Sequence, residues 1–150
     1  TPVISSAASD VYKRQGIALD DSIKLCSILT DEGIDFIHLS CWNAFKRSIS
    51  YRNNSKTLTE WFATSLNNPP PIISTGKVWS HEDAQHLLNQ GADLIGVGRA
   101  AIGHPDWATQ VKNLNYDPAK PPFSVAELRK AKLSDVFIDY MRNWEGFVCD

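Results

Sequence analysis

From Gly16 onward the apolar positions switch between a period near four and a period near two, and turn residues mark each switch. Ile23, Leu25, Ile28 and Leu29 recur at helical spacing behind Asp20 and Asp21, which are suited to cap a helix, and Gly33 stops it. Asp35-Phe36-Ile37-His38-Leu39-Ser40 then reads as a strand. A polar stretch from Cys41 to Lys56 leads into Thr57-Leu58-Thr59-Glu60, whose Thr and Glu have capping-box spacing for a helix running through Asn67 and ended by Pro69, Pro70 and Pro71. Ile72-Ile73-Ser74-Thr75 is the second strand, closed by Gly76. Ser80 and Asp83 cap a further helix that runs to Gln90 and breaks at Gly91, and Asp93 to Val97 is the third strand. Helix, strand, loop, helix, strand, helix, strand is the grammar of parallel βα units, so the fold class is α/β.

An internal echo supports this division. Gly33-Ile34-Asp35-Phe36-Ile37 and Gly91-Ala92-Asp93-Leu94-Ile95 share one helix-stop, strand-start chemistry, as two equivalent αβ turns would. After Trp107 come a short helix, a Pro-rich connection through Pro118, Pro121 and Pro122, and two more helical stretches. Ser124 with Glu127 starts the first, and Ser134 starts the second, which carries Phe137, Ile138, Met141 and Trp144. Three strands do not close a parallel barrel, which takes eight strands and typically ~250 residues. The expected architecture is the C-terminal portion of a (β/α)8 barrel: about three βα units plus a helical tail.

Composition narrows the picture. The 150 residues are 43% hydrophobic and 10% aromatic, enough to bury a core. Fifteen basic and 17 acidic residues are interspersed, for a net charge of -2, so charge points neither to nucleic acid nor to an acidic solvating arm. Cys26, Cys41 and Cys149 form no C-x-x-C pair and leave an odd count, the pattern of free thiols in a reducing compartment. No apolar run approaches the ~20 residues that span a bilayer, and no signal-peptide core opens the chain, so a cytoplasmic location is expected without a membrane partner. Asp10-Val11-Tyr12-Lys13-Arg14-Gln15 matches one reading frame of a transposase end sequence used in DNA library preparation. Residues 1–15 are therefore expected to be a non-native scar, and residues 16–150 to carry the domain.

The chemistry concentrates at Gly98 and Arg99. They follow the apolar run Asp93-Leu94-Ile95-Gly96-Val97 and precede Ala100-Ala101-Ile102-Gly103-His104-Pro105-Asp106-Trp107. A strand ending in Gly, a neighbouring cation and a helix starting at once place backbone N–H groups, a positive dipole end and a guanidinium around one anion. That combination points to a phosphorylated cofactor, against a tight strand-to-helix turn with a surface arginine.

Other candidates weigh less. Ser40, Cys41 and Trp42 follow the first strand and are candidates to line a pocket, against plain packing; no His is placed to activate Cys41 as a nucleophile. His81 and His86 are five residues apart, about 140° off a single helix face, so they do not form the paired ligands of a zinc protease and read as helix-surface residues. His38 has two possible sides of its strand and reads as a hydrogen-bonded structural residue. Arg47 and Arg52 are candidates to guide a dinucleotide phosphate, against ordinary solvation. Asp35 and Asp93 read as turn hydrogen-bonders rather than acids.

Three runs carry a family likeness: Gly33 to Ser40, Ile73-Ser74-Thr75-Gly76-Lys77-Val78, and Gly91 to Trp107. They resemble the Old Yellow Enzyme family of FMN-dependent NAD(P)H:flavin oxidoreductases and ene-reductases, over about Gly16 to Gly146, and the last run is the specific one. The resemblance implies a TIM barrel whose sixth, seventh and eighth strands these segments would be, with the FMN phosphate gripped after strands seven and eight. Carried over residue by residue, Gly76 and Lys77 match the seventh-strand loop, and Gly98 and Arg99 the eighth. Lys77 stands where many relatives carry Gly or another small residue, and His104 where they usually have Asn.

The reaction so implied runs from NADH or NADPH to flavin and then to an activated alkene or another acceptor. The partner is a small-molecule substrate, and an oligomer is compatible with the intact protein. The family's catalytic groups lie on preceding strands, so none is assigned in this chain, and the fragment alone is expected to be inactive. Two rivals stand beside this reading: a flavin-free phosphate-binding TIM-barrel enzyme, and a non-catalytic half-barrel interaction module.

Overall fold

The computed structural model describes residues 17–51 and 53–150. The segment 1–15 and Arg52 lie outside the described residues. Two compact units divide the chain: Thr1–Val78 with Ala84–Gly96, and Trp79–Asp83 with Val97–Asp150.

The first unit begins with α1, Leu19–Asp31, whose N-cap is Ala18 rather than an aspartate. Asp20 and Asp21 instead fall in the first helical turn, where they complement the helix dipole without capping it. Burial of Leu19 draws the chain into helix one residue ahead of them. The helix buries Cys26, whereas Leu25 and Ile28, expected on its inner face, stand 43% and 52% exposed. The strands β1 (Ile37–Ser40), β2 (Ile72–Thr75) and β3 (Leu94–Gly96) form one parallel sheet in that order. Each is a four- or three-residue core of the stretch its pattern marked. Asp93 Oδ2 accepts the Ile72 N–H at 2.8 Å, so it ties the start of β3 to the start of β2 rather than closing a turn of its own.

Between the strands, α2 spans Leu58–Ser65 with both halves of the Thr57/Glu60 capping box made, and it stops two residues short of Asn67. The helix α3 spans His81–Asn89; Ser80 Oγ accepts the Asp83 N–H, and the Asp83 carboxylate accepts the N–H groups of Trp79 and Ser80. Gly33 and Gly91 both turn left-handed behind their helices, at φ +81° and +98°, as the echo requires.

Strand alternation sorts the sheet into two faces. Ile37, Leu39, Ile72 and Ser74 are buried together with Phe62, Leu66 and Leu87. Each fully buried apolar side chain in such a layer contributes about 1.5–3 kcal/mol. Ser74 is tolerated there because its Oγ pairs with Thr59 Oγ1 at 2.8 Å. The register puts His38, Ile73 and Leu94 in one row of the opposite face, and Ser40, Thr75 and Gly96 in the next. None of these six is buried, and Leu94 is 54% exposed.

The second unit holds α4 (Arg99–Gly103), α5 (Trp107–Gln110), α6 (Val125–Lys130) and α7 (Asp135–Met141). Ser124 and Glu127 form the expected capping box, and Ser134 caps α7 by accepting the Phe137 N–H. Helix α7 ends at Met141, so Trp144 lies beyond it and rests edge-on against Tyr140. A short parallel pair that the sequence pattern did not predict, β4 (Phe123–Ser124) with β5 (Val148–Cys149), brings Phe123 against Phe147. Trp107 Nε1–H donates to the Trp79 carbonyl at 2.6 Å, and Trp79 in turn meets Phe123. Gly103 is required there, because a side chain would meet the Phe123 ring at 2.5–3.0 Å.

Candidate functional site

The register Ser40↔Thr75↔Gly96 ends the three strands at one level. Gly76 and Lys77 are the first residues past β2, and Val97 and Gly98 lead from β3 into α4.

Gly76 has φ +146°, and a Cβ there would collide with the Cys41 carbonyl and stand 2.9 Å from the Ala44 nitrogen. The loop after β1 crosses at this point: Cys41 N–H donates to the Thr75 carbonyl at 2.9 Å, and Ala44 N–H to the Gly76 carbonyl at 3.2 Å. The fold alone therefore demands glycine at 76. Lys77 follows at φ +59° with an exposed side chain. A left-handed lysine is uncommon and costs about 1 kcal/mol, which explains why a small residue suits this place.

Gly98 is the N-cap of α4 and exposed, and no heavy atom lies within 4 Å of where a Cβ would stand. The fold sets no steric demand for glycine there, and the open side leaves room for a ligand to approach the backbone. Arg99, the first residue of α4, is half-buried. Downstream, His104 Nε2 pairs with the Ala119 carbonyl at 2.8 Å and its ring meets Phe123 edge-on, so it serves the packing of the second unit.

Among the remaining candidates, Trp42 is 61% exposed and Cys41 is buried. His81 Nδ1 pairs with the Val111 carbonyl at 2.7 Å, and the His86 ring lies 5.4 Å from Phe45. Among the described residues no group of three or more His, Cys, Asp or Glu side chains is placed to hold a metal ion. Arg47 makes a bridge to Thr57, and Arg52 lies outside the described residues. The Cys26 thiol is pushed up from its ordinary value by burial, as suits an inert packing thiol. Asp20 accepts a hydrogen bond from the Tyr51 hydroxyl, and that carboxylate holds the phenol above its usual value.

Reading the sequence missed one pair. His38 Nε2 lies 2.8 Å from Thr75 Oγ1, on the sheet face opposite the buried Ile37, Leu39, Ile72 and Ser74. The signal was present in the polar residues 38, 40, 74 and 75 of the two strands, but only the register shows that 38, 40 and 75 share a face and 74 lies on the other.

A family model described as dihydrouridine synthase (Dus) matches residues 11–145. The chain is also similar to the NADH:fumarate oxidoreductase of Klebsiella pneumoniae (strain 342), 33% identical over 99 residues, 64% of this chain and 11% of that protein. The probable NADH-dependent flavin oxidoreductase YqiG of Bacillus subtilis (strain 168) is 21% identical over 133 residues, 89% of this chain and 36% of that protein. The NADH:acrylate oxidoreductase of Vibrio harveyi is 27% identical over 104 residues, 67% of this chain and 10% of that protein. The chain thus spans little more than a third of one of these relatives and about a tenth of the other two.

Proposed function

The chain belongs to the dihydrouridine synthase (Dus) family of TIM-barrel flavin enzymes, and from that premise we propose that it is the C-terminal portion of an FMN-dependent oxidoreductase barrel whose task is to grip the cofactor phosphate. The observation that carries the reading is the level ending of β2 and β3, each followed within three residues by a glycine and a cation. By the resemblance, Gly76 with Lys77 and Gly98 with Arg99 are the residues assigned to the phosphate.

The residues present fit a phosphate. Gly98 keeps its Cα uncovered, so backbone amides at the start of α4 are approachable, and Lys77 is an exposed cation. Arg99 supplies a planar, permanently charged fork suited to two phosphate oxygens. In this reading backbone amides at the start of α4 fix where the anion sits, and the guanidinium offsets its charge. When bound, FMN would supply the hydride-transfer chemistry that couples NADH or NADPH to an acceptor. This chain's own residues hold and orient; the resemblance to the Old Yellow Enzyme family puts the groups that act on substrate on preceding strands.

The acceptor class we favour is a small, electron-poor alkene. Two of the relatives are named for fumarate and acrylate, alkenes activated by a carboxylate. The family description names dihydrouridine, the product of saturating a ring alkene conjugated to a carbonyl. The balanced, interspersed charge favours a small molecule over nucleic acid. No helix among the described residues is long and apolar enough to cross a membrane, and the reading needs no membrane partner.

Purification of the full-length protein tests the reading: it is expected to be yellow, to release FMN on denaturation, and to oxidise NADH or NADPH with acrylate, fumarate or an enone. A colourless protein that binds a phosphorylated sugar or nucleotide would replace it with the flavin-free barrel. Turnover on uridine-containing RNA in place of small alkenes would overturn the acceptor class alone.

A further inference from the structure

We propose that His38 is a positioning residue for the cofactor, acting through the Thr75 hydroxyl; the inference rests on the flavin reading above. Two hydroxyl pairs sit on the sheet, one on each face. Ser74 with Thr59 is sealed beneath the helices, where both residues are fully buried and the pair satisfies itself. His38 with Thr75 lies on the opposite face, none of whose six strand residues is buried, so a polar pair there is unneeded for the core; it sits in register beside Ile73 and Leu94.

The pair is built rather than incidental. A Cβ on Gly96 would collide with Thr75 Oγ1 and come within 3.4 Å of His38 Nε2. Gly96 is thus a notch in β3 that the threonine hydroxyl fills, with the imidazole holding it at 2.8 Å. Any side chain at 96 would evict it. The hydroxyl so fixed belongs to the last residue of β2, immediately before the Gly76-Lys77 turn assigned to the phosphate. A threonine hydroxyl has one donor and two acceptor sites, and His38 engages one of the three. The rest are open to a second polar partner, and the flavin nucleotide's ribityl hydroxyls are the polar groups next to a phosphate held at that turn. A fixed hydroxyl binds more tightly than a rotating one because its orientation is set before the ligand arrives.

The test uses the full-length protein and measures the FMN dissociation constant, the visible flavin band and the melting temperature. His38→Ala and Thr75→Val are each expected to weaken FMN about tenfold and to shift the flavin band, while Thr75→Ser stays within about twofold. His38→Phe, which keeps the ring volume but loses the nitrogen, is expected to match His38→Ala and stands in for it should the alanine variant fail to fold. The double variant is expected to be no weaker than either single one, the signature of one residue acting through the other. Losses that add in full, or melting temperatures that fall while FMN affinity and spectrum stay unchanged, would overturn the proposal. A wild-type protein that binds no FMN would instead bring down the cofactor reading itself, an outcome visible before any variant is made.

Discussion

Gly76 and Gly98 are one residue type put to two uses, and the difference is measurable. At 76 the loop after β1 fills the space a side chain would need, and φ is +146°, so Gly76→Ala is expected to destabilise the fold by about 1–3 kcal/mol. At 98 the space is open, so Gly98→Ala is expected to leave the melting temperature within about 2 °C while weakening FMN, because the methyl group stands where the phosphate approaches. Equal melting losses for the two variants would contradict this division. Arg99→Ala is expected to weaken FMN about ten- to a hundredfold, and Arg99→Lys to recover only part, since a point charge replaces a fork. Titration of the apoprotein with FMN reads both. The glycine and cation pairs are legible in the sequence as residues at strand ends, while the phosphate role proposed for them rests on the resemblance. The reason for Gly76 is not legible there, because it lies in a carbonyl 35 residues away.

Helix starts were the most legible elements, since a cap is a local hydrogen bond between residues three apart. The boxes at Thr57/Glu60 and Ser124/Glu127 formed as read. Where the same logic failed, at Asp20 and Asp21, a buried leucine one residue ahead moved the helix start, and burial is not local information. The β4–β5 pair escaped for a related reason: two-residue strands have no period, and their partners are 25 residues apart. The Ser124 box also carries a pH signature. Hydrogen bonds from the Ser124 side chain and backbone hold the Glu127 carboxyl below its ordinary value of 4.5. A group whose folded value is lowered stabilises the fold above its unfolded value and loses that contribution as pH falls through the folded one. The start of α6 is therefore expected to loosen below about pH 4.5, and Glu127→Gln to flatten that part of the stability profile. Amide exchange at Glu127, whose N–H is held by Ser124 Oγ, reports it directly; a profile unchanged by the substitution would count against the box.

At the scale of the whole chain, the decisive quantity is apolar surface left exposed to solvent among the described residues. Among the described residues β1 pairs on one side only, and Ile17, Leu25, Ile28 and Phe36 stand about half exposed in the same unit. An unpaired parallel edge beside apolar side chains is a template for association unless another strand and helix cover it. In the barrel reading, those covers are the preceding βα units, and the sheet face that carries His38, Ile73 and Leu94 turns toward the barrel interior. Residues 16–150 expressed alone are therefore expected to aggregate or dissolve poorly and to show no turnover of an enone, whereas the full-length protein is expected to be soluble and yellow. The two rivals part here as well. A half-barrel interaction module predicts a soluble oligomer of 16–150 in which the β1 amides are protected from exchange, because a second copy has taken the edge. Near-native enone turnover by 16–150 would defeat both, since it would require catalytic groups that the resemblance places on strands this segment does not contain.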